Sequence, residues 1–374
     1  MKRIKELELN FLSNYFEMTL LGISSFTIST IFTLIFIKEK IIPNRYSNDH
    51  IKGSQKIHNS NIKRIGGLPI ILSIISMLVI YEFFFKLNVK YDLLIIYIYC
   101  NIIFFVGFTE DLVKDIKPRY RLLALFLITF LWLINYSESI QNTNIDFVDN
   151  IIKFEAFAII LTIICIISTL NATNMMDGAN GLLTIFVIIV NVILLFYASH
   201  SKDLFLINFL FILIGTLLGF LVFNWPKGRI FLGDGGSYFL GSILSTVLIY
   251  MSNEPNNFNM LNALIIMIYP VWELTFTVFR RIYFSSDVTQ PDNLHLHTIL
   301  HANIKKINLE KKCNVNNNAL TGLIINIIAL LPSIIFLIYK FDANLEDNES
   351  ISFFIIIFSM YTIFYLSLIK MNKN

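Results

Sequence analysis

Eleven long apolar runs, separated by polar segments, dominate this sequence. A helix needs about 20 apolar residues to cross the roughly 30 Å hydrocarbon core of a membrane, and most of the runs approach that length. The runs are continuous and lack the alternation of barrel strands, so they predict helices. Charged residues make up 15% of the chain, against about 25% in a soluble domain. The predicted spans are 17–38, 67–86, 91–108, 121–136, 154–171, 181–199, 204–223, 236–251, 260–279, 319–339 and 351–369.

These runs predict an all-α polytopic membrane protein with about 11 transmembrane helices. We expect residues 1–374 to form a single domain, because no linker is long enough to separate two. The net charge of +3 indicates no nucleic-acid partner. The lipid bilayer is the first partner that the sequence predicts.

The distribution of Lys and Arg predicts the orientation of the chain. Counted with the flanking residues Lys38 and Arg121, one set of loops and the C-terminal tail hold 21 of the 29 Lys and Arg residues, and the opposite set, with the N-terminal tail, holds eight. The richer set is expected to be cytoplasmic, which leaves the N-terminus outside and the C-terminus inside. The polar motifs lie in the same set, whereas a transporter buries charges near the bilayer midplane. This asymmetry favours an enzyme that works at one membrane face.

Two of these loops carry acidic and amide side chains beside predicted spans. Glu110 and Asp111 lie directly at a helix end, with Lys114 one turn further if the helix continues. Adjacent carboxylates suit a divalent cation or a general base, although a solvated helix end explains them equally well. The segment 171–182 combines Asn and Asp side chains, which supply oxygen ligands, with glycines that allow close approach of a ligand.

The segment 223–241 places Asp234 between glycines just before a span. A helix N-terminus binds phosphate oxygens through its free N–H groups, and Ser237 is expected to cap this one. Asp234 would then hold a cation that screens the phosphates. A glycine-rich turn into the membrane would explain the glycines but not the carboxylate.

Histidines cluster in the longest cytoplasmic loop at positions 295, 297 and 301. His297 and His301 are four residues apart and could bind zinc if this stretch is helical. A zinc protease has a Glu directly after its first His, whereas Thr298 follows His297, so phosphate contact by the histidines is the better interpretation.

Two further charged residues stand beside or inside apolar spans. Arg64 precedes a pair of glycines at a helix entry and is the cation in its loop that we assign to substrate phosphates. Glu273 lies inside an apolar span, where a charge is costly, and Arg280 is its expected partner. A structural role and a functional role for Glu273 are equally compatible with the sequence.

Taken in order, these motifs resemble the polyprenyl-phosphate N-acetylhexosamine-1-phosphate transferase family, which is glycosyltransferase family 4. The resemblance extends over nearly the whole chain and rests on the segments 64–67, 110–114, 171–182, 223–241 and 295–297. His-Leu-His at 295–297 is more similar to the glycan-initiating branch than to the muropeptide branch. This chain departs from the family pattern at four positions. Glu110 and Glu273 stand where the family usually has Asp, Asn180 stands where Asp is common, and Lys63 stands where Pro is frequent.

The resemblance implies transfer of a sugar 1-phosphate from a UDP-sugar to undecaprenyl phosphate, with release of UMP and a need for Mg²⁺, or Mn²⁺ in its place. It also implies a homodimer. The implied roles are catalytic for Asp111, Glu110 and Lys114; substrate-binding for Arg64, Asn171, Asp177, Asn180, His295 and His297; and metal-binding for Asp234 and Asn174. A lipid or solute transporter and, more distantly, an intramembrane zinc hydrolase are the alternatives that the residues leave open.

Overall fold

The computed structural model describes residues 2–39, 42, 48–49, 62–85, 91–113, 116–136, 139–254, 258–283, 294–310, 316–343 and 347–373. These residues form fourteen helices and one small sheet. The helices are α1 (Lys2–Lys38), α2 (Gly67–Phe85), α3 (Tyr91–Val113), α4 (Pro118–Tyr136), α5 (Asp146–Ile152), α6 (Glu155–Met176), α7 (Leu182–Ser201), α8 (Leu204–Asn224), α9 (Gly233–Asn253), α10 (Met260–Ile266), α11 (Ile268–Tyr283), α12 (Leu296–Glu310), α13 (Asn317–Ala343) and α14 (Asp347–Lys373). The strands are β1 (Asn48–Asp49), β2 (Ile62–Arg64) and β3 (Ile230–Phe231).

The architecture confirms the prediction of an all-α polytopic membrane protein. Ten of the eleven predicted spans each coincide with one helix, and the span predicted over 260–279 coincides with the pair α10–α11. Among the described residues, nine helices are long and apolar enough to cross a membrane, and the bent pair α10–α11 makes a tenth. The shorter apolar segment Gly67–Phe83 of α2 accounts for the remaining predicted span.

Helix α9 lies at the centre of the bundle. Its most apolar stretch of 18 residues has a mean hydropathy of only 1.2, yet 94% of that stretch is buried inside the protein. Small residues allow neighbouring backbones to approach it closely. A Cβ at Gly67 would lie 2.7 Å from the Gly236 Cα, and one at Gly107 would lie 2.5 Å from the Asp234 carbonyl oxygen. The first turn of α9 is therefore held tightly between α2 and α3.

The span predicted over residues 260–279 is not one straight helix. It consists of α10 and α11, which are bent by 72° with Met267 between them. Pro270 lies in the first turn of α11, where its missing N–H is tolerated, but it would break a continuous helix. The bend brings α11 towards α6 and α14 at the end of the bundle that carries the polar motifs.

A small sheet connects two segments that are distant in sequence. Strand β2 pairs in parallel with β3, so that Arg64 lies opposite Phe231. The pairing continues through the Gly66 and Gly67 N–H groups, which donate to the Phe231 and Leu232 carbonyl oxygens at 2.8 and 3.0 Å. The Lys63 ammonium donates to the Phe36, Ile37 and Glu39 carbonyl oxygens at the end of α1. The sheet thus places Arg64 beside the first turn of α9.

Candidate active site

The carboxylate of Asp111 binds the first turn of α9. Its two oxygens accept hydrogen bonds from the Asp234 and Gly235 N–H groups at 3.0 and 2.9 Å, and its side chain is 2% exposed. A carboxylate at a helix N-terminus satisfies free N–H groups and complements the helix dipole. Gly233, with φ +77°, leads into this turn, and a Cβ there would lie 2.7 Å from Asp111 Oδ2. Asp111 therefore anchors the turn that carries Asp234.

The predicted capping role of Ser237 is wrong. Ser237 is the fifth residue of α9, beyond the capping position, and its hydroxyl donates to Asn174 Oδ1 at 2.8 Å and to the Asp234 carbonyl oxygen at 3.1 Å. Because Asp111 occupies two of the N–H groups that were expected to bind phosphate, charge on the phosphates must be met by other groups. Ser237 instead connects Asn174 on α6 with the turn that carries Asp234.

Arg64 forms an ion pair with each of the two aspartates. Its Nη2 lies 2.8 Å from Asp234 Oδ1, and its Nε lies 3.8 Å from Asp111 Oδ1. The Arg64 side chain is 36% exposed and that of Asp234 is 16% exposed, so both can be reached from outside the bundle. A planar guanidinium with several donors binds carboxylates and phosphates in the same way. Arg64 is therefore placed to exchange a carboxylate contact for a phosphate contact.

Asp177 lies just beyond the end of α6, near Arg64 and Asp234. Burial raises the pKa of Asp177 to about 8; Arg64 opposes this shift, and the Asp234 charge adds to it. Arg64 therefore lies among three carboxylates, those of Asp111, Asp177 and Asp234. The site therefore has the electrostatic character of a place that receives a cation.

The donor set fits a magnesium ion. Asp234 and Asn174 offer hard oxygen atoms, and Ser237 connects the two residues. No group of three or more His, Cys, Asp or Glu side chains within the described ranges is arranged to hold a metal ion by itself. Magnesium usually binds one or two protein carboxylates together with substrate phosphates and water. The residues present are consistent with that mode of binding.

Glu110 does not share the environment of its neighbour Asp111. Both of its oxygens accept hydrogen bonds from Arg121 Nη1, at 2.7 and 2.9 Å, which connects α3 to α4. The Arg121 guanidinium also lies over the Tyr238 ring, 5.7 Å from its centroid. Lys114, the third predicted catalytic residue, lies outside the described residues. The catalytic roles of Glu110, Asp111 and Lys114 remain predictions.

Two of the predicted substrate-binding amides make contacts within the protein. Asn171 Nδ2 donates to the Ile167 carbonyl oxygen one turn earlier in α6. The Asn180 N–H donates to Asn318 Oδ1 at 2.6 Å, and its Nδ2 donates to the Pro226 carbonyl oxygen at 3.0 Å. Asn180 therefore fixes the loop after α6 against two neighbouring segments. Substrate binding by these residues also remains a prediction.

Glu273 pairs with His295, and the expected pairing with Arg280 is wrong. Glu273 Oε1 lies 2.9 Å from His295 Nδ1, while Arg280 Nη1 donates to the Leu294 carbonyl oxygen and the Tyr365 hydroxyl at 2.6 and 2.8 Å. The bend between α10 and α11 and the position of α12 bring these two residues together. Neither could be deduced from the spacing of residues along α11.

His297 lies beside the loop that carries Asp177. Its Nε2 atom is so close to Gly178 that a Cβ added there would lie 2.0 Å away. Burial lowers the pKa of His297 to about 4, with further lowering by His295. His301 lies apart, 3.4 Å from the Thr321 hydroxyl. These two histidines form no zinc site with other described residues.

Residues 93–252 match the profile of Glycosyl transferase family 4. The matched segment runs from α3 to α9 and contains the acidic pair, the loop after α6 and Asp234. This match supports an assignment of the chain to this family.

Curated proteins with similar sequences agree with the family assignment. The chain is 27% identical over 342 residues to a probable undecaprenyl-phosphate N-acetylglucosaminyl 1-phosphate transferase of Bacillus subtilis (strain 168), and the alignment covers 85% of this chain and 88% of that protein. It is 32% identical over 155 residues to a phospho-N-acetylmuramoyl-pentapeptide-transferase of Clostridium perfringens (strain 13 / Type A), with 39% of this chain and 49% of the relative covered. These relatives are transferases, so the comparisons favour the transferase interpretation over the transporter.

Three residues that shape this site were not identified as such from sequence. Arg121 was counted only as a flanking positive charge, Ser237 was assigned to the helix cap, and Glu273 was given the wrong partner. The spacing of Asp234 and Ser237, three residues apart on one helix face, did contain the signal for their proximity. The other two contacts join different helices, and a single sequence does not reveal such pairs.

Proposed function

We propose that this protein transfers an N-acetylhexosamine 1-phosphate from a UDP-sugar to undecaprenyl phosphate and releases UMP. The observation that carries this proposal is the convergence of Arg64, Asp234 and Asn174 at one end of a bundle of membrane-spanning helices. At that place a water-soluble nucleotide sugar and a membrane-bound phosphate can meet. The product would begin a cell-surface polysaccharide such as a lipopolysaccharide.

The acceptor needs little activation by the protein. A phosphate monoester has a second pKa near ~6, so undecaprenyl phosphate is already largely dianionic at neutral pH. One of its oxygens attacks the sugar-bearing β-phosphorus and forms a new P–O bond. The bond between the β-phosphorus and the bridging oxygen breaks, and that oxygen leaves with UMP. No general base is required for this displacement, so catalysis consists mainly of positioning and charge stabilisation.

The residues of the site divide this work according to their geometry. Arg64 donates to phosphate oxygens and offsets the repulsion between the two anionic substrates. Asp111 holds the first turn of α9 in place, so that Asp234 and Ser237 keep their positions. Magnesium, which Asp234 and Asn174 would hold, supplies positive charge to the diphosphate when bound; Mn²⁺ offers the same chemistry. His297 is neutral at pH 7 and offers a hydrogen bond without adding charge.

The orientation follows from the same proposal. A UDP-sugar is a cytoplasmic metabolite, so the end of the bundle that carries Arg64 and Asp234 faces the cytoplasm. The N-terminus then lies outside and the C-terminus inside, as the distribution of Lys and Arg predicts. Assembly as a homodimer is part of the same proposal and is tested by the mass of the purified protein in detergent.

The decisive experiment measures UMP release by the purified full-length protein. A panel of UDP-N-acetylhexosamines is supplied with undecaprenyl phosphate and Mg²⁺, and each component is omitted in turn. We expect UMP release that requires both the lipid phosphate and the metal. Asp234→Asn should reduce turnover by at least about 100-fold. Folded protein that releases no UMP from any of these donors would refute the proposed function.

A further inference from the structure

Glu273 is a carboxylate buried at the end of the helical bundle. It lies on α11, and its side chain is 2% exposed. An ionised carboxylate in such a place is strongly unfavourable unless it is paired and hydrogen-bonded. The contacts of Glu273 therefore show what the buried charge is used for.

All of the strongest contacts of Glu273 lead to the beginning of α12. Oε1 lies 2.9 Å from His295 Nδ1, and Oε2 accepts from the Leu296 N–H at 3.3 Å. Tyr269, on the same helix, contributes only a long contact of 3.5 Å from its hydroxyl. One carboxylate thus holds both the imidazole of His295 and the first N–H of the helix that follows it. In the neutral imidazole the contact with Glu273 places the proton on Nδ1, so that Nε2 carries the lone pair.

The contact continues from His295 to His297. The two rings lie parallel, with an interplanar angle of 2° and centroids 5.5 Å apart. His297 is 2% exposed, and its Nδ1 has no hydrogen-bond partner among the residues that the structure describes. Its Nε2 lies against Gly178, next to Asp177. A continuous path of contacts therefore runs from Glu273 through both histidines to the loop beside the candidate active site.

We propose that Glu273 is a positioning residue that fixes the tautomer and direction of His295 and thereby sets His297 against the loop at Asp177 and Gly178. This inference rests on the proposed function, and the ligand concerned is the diphosphate-sugar part of the donor. Arg280 reinforces the arrangement, because it binds the carbonyl oxygen of Leu294, directly before His295. A purely structural anchor would need a carboxylate to cap α12, but it would not need the stacked histidine pair.

The test compares three variants of the full-length protein in the UMP-release assay. Glu273→Gln keeps the size of the side chain and removes the charge, Glu273→Asp keeps the charge on a shorter side chain, and Tyr269→Phe removes a contact to the same carboxylate without touching His295. Around metal-ligating histidines, loss of a carboxylate that orients the imidazole typically costs about 10- to 100-fold in affinity or activity, and we apply the same range to His295. We expect a loss of that size in kcat/KM for the UDP-sugar with Glu273→Gln, partial rescue with Glu273→Asp, and wild-type activity with Tyr269→Phe.

The KM for each substrate separates positioning from general loss of structure. A positioning role through the histidines raises the KM for the UDP-sugar and leaves the KM for undecaprenyl phosphate unchanged. Equal loss with both substrates, in proportion to a loss of folded protein in size-exclusion chromatography, would overturn the proposal. Wild-type kcat/KM in Glu273→Gln would overturn it as well.

Hydrogen exchange tests the same contacts independently of turnover. If the wild-type protein releases no UMP, the proposed function fails, but the positioning is still measurable. We expect Glu273→Gln to accelerate amide exchange in residues 295–300 and at the loop 177–181, and to leave α14 unchanged. Acceleration in residues 295–300 alone would reduce Glu273 to a helix cap and refute positioning of the loop. No acceleration in either segment would refute both the capping of α12 by Glu273 and the positioning of the loop.

Discussion

Replacement of Asp111 by Asn separates an anchoring role from a direct catalytic one. In the structure, Oδ1 and Oδ2 of Asp111 each accept one N–H from the first turn of α9, at 3.0 and 2.9 Å. An amide has only one acceptor oxygen, so Asp111→Asn leaves one buried N–H without a partner and places an NH₂ group against it. The change also removes the negative charge near Arg64.

The expected loss of stability follows from these contacts. A hydrogen bond to a charged group contributes about 1.5–3 kcal/mol, and a buried donor left unsatisfied costs about 1–3 kcal/mol. The two effects overlap, so we expect a loss of about 2–4 kcal/mol in the free energy of unfolding. For a chain of this size, a loss of 1 kcal/mol lowers Tm by roughly 2 °C, so the expected decrease in Tm is roughly 4–8 °C.

Thermal unfolding in detergent, measured beside UMP release, decides between the roles. Asp234→Asn is the matched control, because Asp234 is 16% exposed and its strong contact is with the partly exposed Arg64. We expect the control to lose activity with a change in Tm of less than about 2 °C. Loss of activity in Asp111→Asn with an unchanged Tm would refute the reasoning and indicate that Asp111 acts directly on substrate.

Three further predictions concern the residues around Asp234. Gly178→Ala should reduce activity by at least about tenfold, because the new Cβ would lie 2.0 Å from His297 Nε2. The rates of UMP release by Gly178→Ala and Gly178→Ser check this, and wild-type rates would contradict it. Ser237→Ala should lower affinity for Mg²⁺ about 10-fold or more, because it removes the hydroxyl that connects Asn174 to Asp234, as titration of UMP release with Mg²⁺ would show. The pKa of His297 is lowered from 6.5 to about 4, so the unfolded chain binds this proton first as pH falls. The free energy of unfolding should therefore fall below pH 6.5 by up to about 1.4 kcal/mol per pH unit and level off below pH 4, and His297→Gln should flatten that slope in thermal unfolding.

The number and position of the spans could be predicted because each of them is determined by local apolarity. The predicted helix boundaries are wrong where contacts with other helices determine where a helix begins or ends. The α9 prediction began at residue 236, but the helix begins at Gly233, because its polar first turn is stabilised by Asp111 from another helix. The break at Met267 and helix α12 were not predicted, since both depend on contacts between α11, α12 and α14.

The residues of the site could be identified because they stand in polar loops beside apolar spans. Their partners could not. Glu110 and Asp111 are adjacent in sequence and were assigned to one task, yet they project from α3 to different helices, one to Arg121 and one to the start of α9. Successive residues on a helix point about 100° apart, so adjacent carboxylates seldom share a partner. The sequence provides the charges, and the packing of the bundle decides which charges meet.

The arrangement around α9 explains how a site for two anionic substrates can be lined with carboxylates. Two of the N–H groups that would bind a phosphate directly are occupied by Asp111, and Arg64 is shared between Asp111 and Asp234. Without substrate, the positive charge of Arg64 is therefore already balanced by the two carboxylates that it pairs with. Under the proposed function, an anionic donor can bind only if it brings a cation or displaces a carboxylate from Arg64. A nucleotide diphosphate that arrives with Mg²⁺ meets the first condition, whereas a free monophosphate does not. The carboxylates thereby discriminate in favour of the metal-bound donor before any chemical step takes place.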